Sequence, residues 1–418
     1  MSVLIVHNIG HLYGVRTDSA PLKGEALAQL PAVGNAWLRV DGDRIAAHGS
    51  GPAPEREERS WRYVDAGGVT VLPAWCDAHT HLVYADTREG EFVDRIRGFS
   101  YEDIAARGGG ILNSAGRVRE TSEEVLYRQA LARAGEWMRL GTGALEIKSG
   151  YGLTLEAELK MLRVIRKLRD TLPIHVKATF LGAHAYPPEY RENKARFVDV
   201  LVDEWIPKVA EAGLADFIDV FCEEGFFDPA SAERICEAGR RYGLKPKVHA
   251  NQLHRSGGVQ AGVRAGALSV DHLENIGPEE IGCLRGAHTI PVLLPGSAFF
   301  LGLPQAPARE LIGAGLPVAL ASDCNPGSCP SGNMNFVVSL ACLQMHLLPE
   351  EAVNAATLNA AHAMDLGHEV GSVSPGKLAN LIFLKPNLSL HYLPYAFGSN
   401  SIGRVMLAGA FLDELRDV

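Results

Sequence analysis

The amino-acid sequence predicts an α/β fold. A distorted (β/α)8 TIM-type barrel is expected over residues 71–365, and a small β-sandwich domain is expected from the two chain ends, 1–70 and 366–418. Three observations carry this. From about residue 72 to 365, apolar runs of four to six residues alternate with amphipathic helical stretches, the pattern of parallel strands joined by crossover helices. Histidine or aspartate recurs at the carboxyl ends of the apolar runs, where a parallel barrel places its functional groups. Both chain ends read as short strands. Alternation alone does not separate a closed barrel from an open sheet.

Each element has its own signal. Val3-Leu4-Ile5-Val6 is a strand, and Trp37-Leu38-Arg39-Val40 and Arg44-Ile45-Ala46-Ala47 flank an Asp41-Gly42-Asp43 turn. Gly67-Gly68 leads into one apolar strand ending in Asp77-Ala78-His79-Thr80-His81. Ala144-Leu145-Glu146-Ile147-Lys148 is the next strand, followed by a helix over 156–172 with Leu159, Leu162, Ile165 and Leu168 at helical spacing. His175 to Leu181 is a strand, 199–212 a helix, and Ile218-Asp219-Val220-Phe221 a strand. Residues 229–242 form a helix with Asp228 as its cap. Lys247-Val248-His249-Ala250 and Ser269-Val270-Asp271-His272 are strands with a helix over 259–265 between them. Strands over 290–294 and 318–322 complete the barrel, and 381–384 and 405–407 return to strand character.

Composition narrows the function classes. Hydrophobic content of 47% and charged content of 21% suit a soluble globular protein with a large core. The net charge is -9 with no basic stripe, so no nucleic-acid partner is expected. The uncharged stretch 290–308 holds four prolines and two glycines, so a buried strand followed by a loop fits and a membrane span does not. Seven cysteines without a Cys-x-x-Cys pair, and no basic-then-apolar leader, point to a reducing, cytoplasmic setting.

The chemistry lies in the strand ends. His79 and His81 are two apart, so a strand turns both to one face. His184, His249, His272 and Asp323 also fall just at or beyond strand ends. Three imidazoles and one carboxylate suit a divalent ion with room for water. Such an ion lowers the pKa of water from about 15.7 to roughly 7 and polarises a carbonyl oxygen, which serves hydrolysis of amide-like C–N bonds.

These residues resemble the amidohydrolase superfamily and, within it, the imidazolonepropionase family. The resemblance covers nearly the whole chain. It rests on Asp77-Ala78-His79-Thr80-His81, Arg88-Glu89-Gly90-Glu91-Phe92, Gly98-Phe99-Ser100-Tyr101 with Gly108-Gly109-Gly110, and Glu146-Ile147-Lys148-Ser149-Gly150-Tyr151-Gly152-Leu153. It continues through Leu181-Gly182-Ala183-His184, Val248-His249-Ala250, Asp271-His272-Leu273-Glu274 and Ser322-Asp323-Cys324-Asn325-Pro326-Gly327-Ser328. Lys148 to Gly152 and Asp323 to Ser328 are its most specific parts.

The resemblance implies roles. His79, His81, His249 and Asp323 would hold one divalent or trivalent transition-metal ion per chain, zinc before iron, since a His/Asp site accepts either. Asp323 would receive a proton from the attacking water and return it to the leaving ring nitrogen. His272 would hydrogen-bond that water or the substrate oxygen, and His184 would contact the ring carbonyl. Arg88 would pair with the substrate carboxylate. Tyr151, Asn325, Gly327 and Ser328 would line the pocket, with Tyr101 a weaker candidate. Lys148, which is carbamylated in two-metal relatives, is not so used in this family. Gln252 stands where many relatives carry a glutamate proton shuttle. An amide cannot exchange protons in that way, so Gln252 is expected to orient the ring. The implied reaction is hydrolysis of the lactam C–N bond of 4-imidazolone-5-propanoate to N-formimidoyl-L-glutamate, in histidine catabolism. The implied partners are a small-molecule substrate and a second copy in a homodimer, with no nucleic acid and no membrane. An aminopurine or pyrimidine deaminase and a non-catalytic scaffold are the alternatives. Cys324, beside Asp323, reads as a buried structural thiol, since neighbours in an extended segment point apart.

Overall fold

The computed structural model describes residues 3–415 except 56, 59, 100–102 and 104–108. Tyr101 and Gly108 therefore lie outside the described residues. Among the described residues no helix is long and apolar enough to cross a membrane.

Strands β1 (Val3–Tyr13), β2 (Ala32–Asp41), β3 (Arg44–Ser50), β4 (Arg62–Asp65) and β5 (Thr70–Pro73) come from the first part of the chain. The barrel strands are β6 (Trp75–Thr80), β7 (Thr142–Lys148), β8 (His175–Ala183), β9 (Phe217–Cys222), β10 (Lys245–Ala250), β11 (Ser269–His272), β12 (Ile290–Leu293) and β13 (Ala319–Leu320). Strands β14 (Leu381–Leu384), β15 (Ile402–Leu407) and β16 (Ala410–Phe411) follow.

Strands β6 to β13 are parallel and lie side by side in chain order, with crossover helices between them. The seam is bridged just past the strand ends. Thr80 pairs with Cys324, His81 N donates to Cys324 O at 2.8 Å, and Asp323 N donates to His79 O at 3.0 Å. The eighth strand is shorter than the sequence suggests. Asp77 takes over the pairing there, since its carboxylate accepts from Ser322 N at 2.9 Å and from Ser322 Oγ at 2.5 Å.

The other strands form one hydrogen-bonded path, β16-β15-β14-β5-β1-β2-β3, with β4 also on β1. Val6 and Leu38 from the middle of this path share one apolar core with Ile45 at one end and Met406 and Phe411 at the other. The sheet is therefore curled around its own core, which gives the two layers of a sandwich without a second sheet.

Three further elements differ from the sequence reading. The single strand expected through residues 72–81 divides at Ala74, because its partner changes: Ala74 N donates to Asn380 O and Trp75 N to Gly141 O, both at 2.9 Å. The helix expected over 199–212 runs Lys194–Val200, then a π turn Leu201–Trp205, then Ile206–Ala212. The wide turn precedes Pro207, which has no N–H for the carbonyl four residues back. After β12 the expected loop contains a short helix, Pro295–Leu301, with proline in its first turn and left-handed Gly302 (φ 69°) as its cap.

Inside the barrel the lower layer is charged. Glu146, Lys148, Asp219, Lys247 and Asp271 are all fully buried. Lys148 Nζ lies 2.6 Å from Glu146 Oε1, 2.8 Å from Asp219 Oδ2 and 3.7 Å from Asp271 Oδ2. Lys247 Nζ donates to Glu146 and, at 2.9 Å, to Ala78 O. Alternate residues of a barrel strand point inward. So the charges at 146, 148, 219, 247 and 271 lie directly beneath the strand ends that carry the histidines.

Candidate metal and substrate site

His79 lies in β6 and His81 one residue beyond it, and the strand period turns both into the barrel mouth. Their ring centroids are 5.4 Å apart. His249, in β10, reaches across to 4.4 Å from the His79 ring and 5.6 Å from the His81 ring. One nitrogen from each of these three lies within 4.8 Å of the others, and a second group within that distance is formed by a nitrogen of His79, a nitrogen of His272 and a carboxylate oxygen of Asp323. Asp323 Oδ1 is 3.5 Å from His79 Nε2 and 3.7 Å from His81 Nε2.

The nitrogens facing this centre fit a cation. On His81 the nitrogen near Asp323 is Nε2. His79 Nε2 and His249 Nε2 are buried without a hydrogen-bond partner. Buried polar atoms are seldom left so. The opposite nitrogens are tied down: His79 Nδ1 donates to Asp271 Oδ2 at 2.6 Å and His249 Nδ1 to Asp219 Oδ1 at 3.1 Å. A carboxylate accepts only, so each bond puts the proton on Nδ1 and leaves a lone pair on Nε2. Burial, with neighbouring cations, holds His79 and His81 well below the ordinary histidine pKa, the neutral state that a ligand needs. Lys148 is unsuited to carbamylation, which needs a neutral amine. Burial opposes its charge, but Asp219, Glu146 and Asp271 outweigh that and raise its pKa.

The other strand-end groups differ in charge. Burial pushes Asp323 up from the usual carboxylate range. Its backbone is left-handed, with φ 53°, a conformation that a non-glycine residue holds only when its surroundings impose it. Burial works against charge on His272, but Glu274, 3.4 Å from Nδ1, with Asp323 and Asp271, reverses this and raises its pKa. Burial takes His184 down to about 3. Its Nδ1 donates to Gly150 O at 2.9 Å, and its ring stacks on His81 at 5.2 Å.

The remaining expected residues lie beyond the carboxyl ends of the barrel strands. Tyr151 lies 5.6 Å from the His81 ring and 5.2 Å from the His184 ring. Arg88 caps the helix Glu89–Ile96, and its Nε and Nη1 are buried without a hydrogen bond, with Glu91 3.5 Å from Nε. The guanidinium lies against Gly327, where a Cβ would fall 1.1 Å from Nη2. Asn325 is occupied within its own loop. Its Oδ1 accepts from Gly327 N at 2.8 Å and Ser328 N at 2.7 Å, and its Nδ2 donates to Asp323 O at 2.8 Å and Ser328 Oγ at 2.7 Å. Gln252 is buried beyond β10, with its backbone carbonyl held by Asn275 Nδ2 at 2.7 Å. Cys324 is buried, and burial pushes its thiol well up, which leaves it unreactive.

Sequence reading assigned no role to Asp219, Asp271 or Lys247. Their signal is a charged residue within an otherwise apolar parallel strand, two positions before the ligand in the case of Lys247. Such a charge is tolerated only facing a polar lumen.

Comparison with known proteins gives the family. Residues 70–412 match the amidohydrolase family model. The chain is 55% identical over 412 residues to the imidazolonepropionase of Flavobacterium johnsoniae, covering 98% of this chain and 100% of that one. It is 52% identical to the imidazolonepropionase of Christiangramia forsetii, covering 98% and 100%. Among solved structures it resembles a mutant atrazine chlorohydrolase from Arthrobacter aurescens complexed with zinc and atraton, with TM-score 0.71, 16% identity and coverage of 98% and 95%, a likeness of fold. The chain belongs to the amidohydrolase family and, within it, to the imidazolonepropionases.

Proposed function

We propose that this chain hydrolyses the lactam C–N bond of 4-imidazolone-5-propanoate to N-formimidoyl-L-glutamate, with one transition-metal ion held by His79, His81, His249 and Asp323. The observation that carries this is the pair of partnerless imidazole nitrogens, His79 Nε2 and His249 Nε2, gathered with His81 beside Asp323, together with Arg88, whose buried Nη1 has no hydrogen-bond partner. Zinc is the first expectation, as the fold neighbour that holds zinc supports, and iron the second. A cation there lowers the pKa of water to about 7 and polarises a carbonyl oxygen.

The residues supply the rest. Asp323, with its raised pKa, takes a proton from the attacking water as the new C–O bond forms at the ring carbonyl. It delivers that proton to the ring nitrogen as the C–N bond breaks. His272, favoured in its charged form, donates to the carbonyl oxygen. His184 cannot do this. Its Nδ1 proton is committed to Gly150 O, so its neutral Nε2 is an acceptor, suited to a ring N–H of the substrate. Arg88 meets the propionate carboxylate through its guanidinium, whose Nη1 has no hydrogen-bond partner. Gln252, an amide, orients and does not shuttle. Asn325 shapes the loop that carries Gly327 and Ser328 along the pocket wall. A deaminase reading has less use for Arg88, and a scaffold has no use for the ligand set.

We also propose a homodimer in the cytoplasm. Phe92, Val93, Ile96 and Phe299 are exposed. Phe92 stacks on Phe300 at 5.5 Å, which joins the helices Glu89–Ile96 and Pro295–Leu301, and their exposed apolar side chains are the kind that mark an association surface. All seven cysteines are free thiols, as a reducing compartment keeps them.

Protein loaded with one equivalent of zinc or iron is expected to consume imidazolonepropionate, and His249→Ala to abolish turnover at equal protein concentration. Robust activity in His249→Ala or in metal-stripped protein refutes the reading. Gly327→Ala displaces Arg88 and is expected to raise KM about 10- to 100-fold, the loss of roughly 1.5–3 kcal/mol of charge-assisted bonding, with metal content unchanged. A wild-type KM contradicts the role of Arg88.

His184 also sets a pH signature. Its folded pKa of about 3 lies below the ordinary 6.5. Between these values the unfolded chain binds more protons, so stability is lost as pH falls. Metal-stripped wild type is expected to lose up to about 1.4 kcal/mol more per pH unit below pH 6.5 than metal-stripped His184→Gln, by urea unfolding. Equal slopes contradict a neutral His184.

A further inference from the structure

Glu158 is a buried carboxylate that the reaction above does not use. It lies in the helix Leu155–Thr171 and is fully buried. Its Oε2 accepts from Gly150 N at 2.8 Å, and its Oε1 accepts from Gly152 N at 2.7 Å and Leu153 N at 2.9 Å. The Ser149 hydroxyl also bonds it and accepts from Leu181 N at 3.1 Å. One side chain thus gathers four of the five loop residues Ser149–Leu153, all but Tyr151. Leu153 is held left-handed, with φ 53°, by this attachment.

The gathered loop has two outlets, both toward the pocket. The carbonyl of Gly150 fixes the His184 ring through Nδ1. Tyr151, between two clamped neighbours, faces His184 and His81. We propose that Glu158 is a positioning residue for substrate binding: by holding Ser149–Leu153 it sets both the Tyr151 ring and the tautomer and angle of His184. This rests on Tyr151 and His184 being substrate contacts. Only a carboxylate serves, because every group that meets it is a donor. A glutamine turns its NH2 against a backbone N–H and leaves that donor buried and unpaired.

The test uses metal-loaded enzyme carrying Glu158→Gln or Gly152→Ala. The second variant pushes the same loop off an intact carboxylate, since its Cβ would fall 2.8 Å from Glu158 Oε1 and 2.5 Å from Glu158 N. Four quantities are read: KM, Kd for unreactive imidazole-propionate by calorimetry, metal content and Tm. Tyr151→Phe and His184→Ala serve as references. KM and Kd are expected to rise about tenfold or more in both loop variants, the loss of one charge-assisted bond, with metal content at the wild-type level. If the references raise KM while both loop variants stay within twofold of wild type and lose only Tm, Glu158 merely stabilises the fold and the proposal is overturned. If the references themselves bind like wild type, the reading of Tyr151 and His184 as substrate contacts fails, and the role of Glu158 fails with it. Should Glu158→Gln not fold, Gly152→Ala decides alone.

Discussion

Two hydrogen bonds govern the rest of this structure: His79 to Asp271 and His249 to Asp219. Each carboxylate fixes a proton on Nδ1 and aims the opposite lone pair at the barrel mouth. Neither carboxylate could remain ionised alone in the lumen. Burial raises the pKa of Asp271, and Lys247 and Lys148 work against that rise. For Asp219, His249 and Lys148 outweigh burial and hold it well below the usual range. Two unit charges about 4 Å apart attract by about 4 kcal/mol at an effective dielectric of 20, and an unpaired buried charge costs about 3–5 kcal/mol. The lower layer therefore stands or falls as a set. Its three carboxylates and two ammoniums leave one negative charge beneath the cation site, which favours a cation above.

Topology then brings the distant ligands together. His79 and Asp323 are separated by most of the barrel sequence but meet at its seam, where Asp323 N donates to His79 O. The bond that closes the barrel also sets the carboxylate beside two imidazoles. Asp77, one turn lower, replaces ladder bonds with side-chain bonds to Ser322, and so frees the segment after β13 to bend. The left-handed backbone at Asp323 belongs to this bending. Strain of about 1–3 kcal/mol at such a residue persists only where the surrounding contacts impose it.

Much of this was legible in the sequence because barrels write their geometry locally. Strand–helix alternation gave the parallel sheet, and the spacing of His79 and His81 placed both on one face. Strand ends showed where His184, His249, His272 and Asp323 would gather. What stayed hidden depends on pairing across the chain. The break at Ala74 follows from partners at Gly141 and Asn380, far away in sequence. The short eighth strand follows from a side chain on β6. The clamp by Glu158 was masked by its place in an amphipathic helix, where a glutamate ordinarily faces water. The opposite pKa shifts of His184 and His272 follow from burial of the one and from the Glu274 carboxylate beside the other, which no spacing rule identifies.

The most direct test of the central claim is the metal affinity of Asp271→Asn, measured by chelator competition on folded protein. An amide NH2 turned to His79 forces the ring to accept at Nδ1 and to carry its proton on Nε2, where the metal must bind. Zinc affinity is expected to fall about 10- to 100-fold with secondary structure intact. Wild-type affinity in that variant would contradict the claim that the buried carboxylates set the ligands.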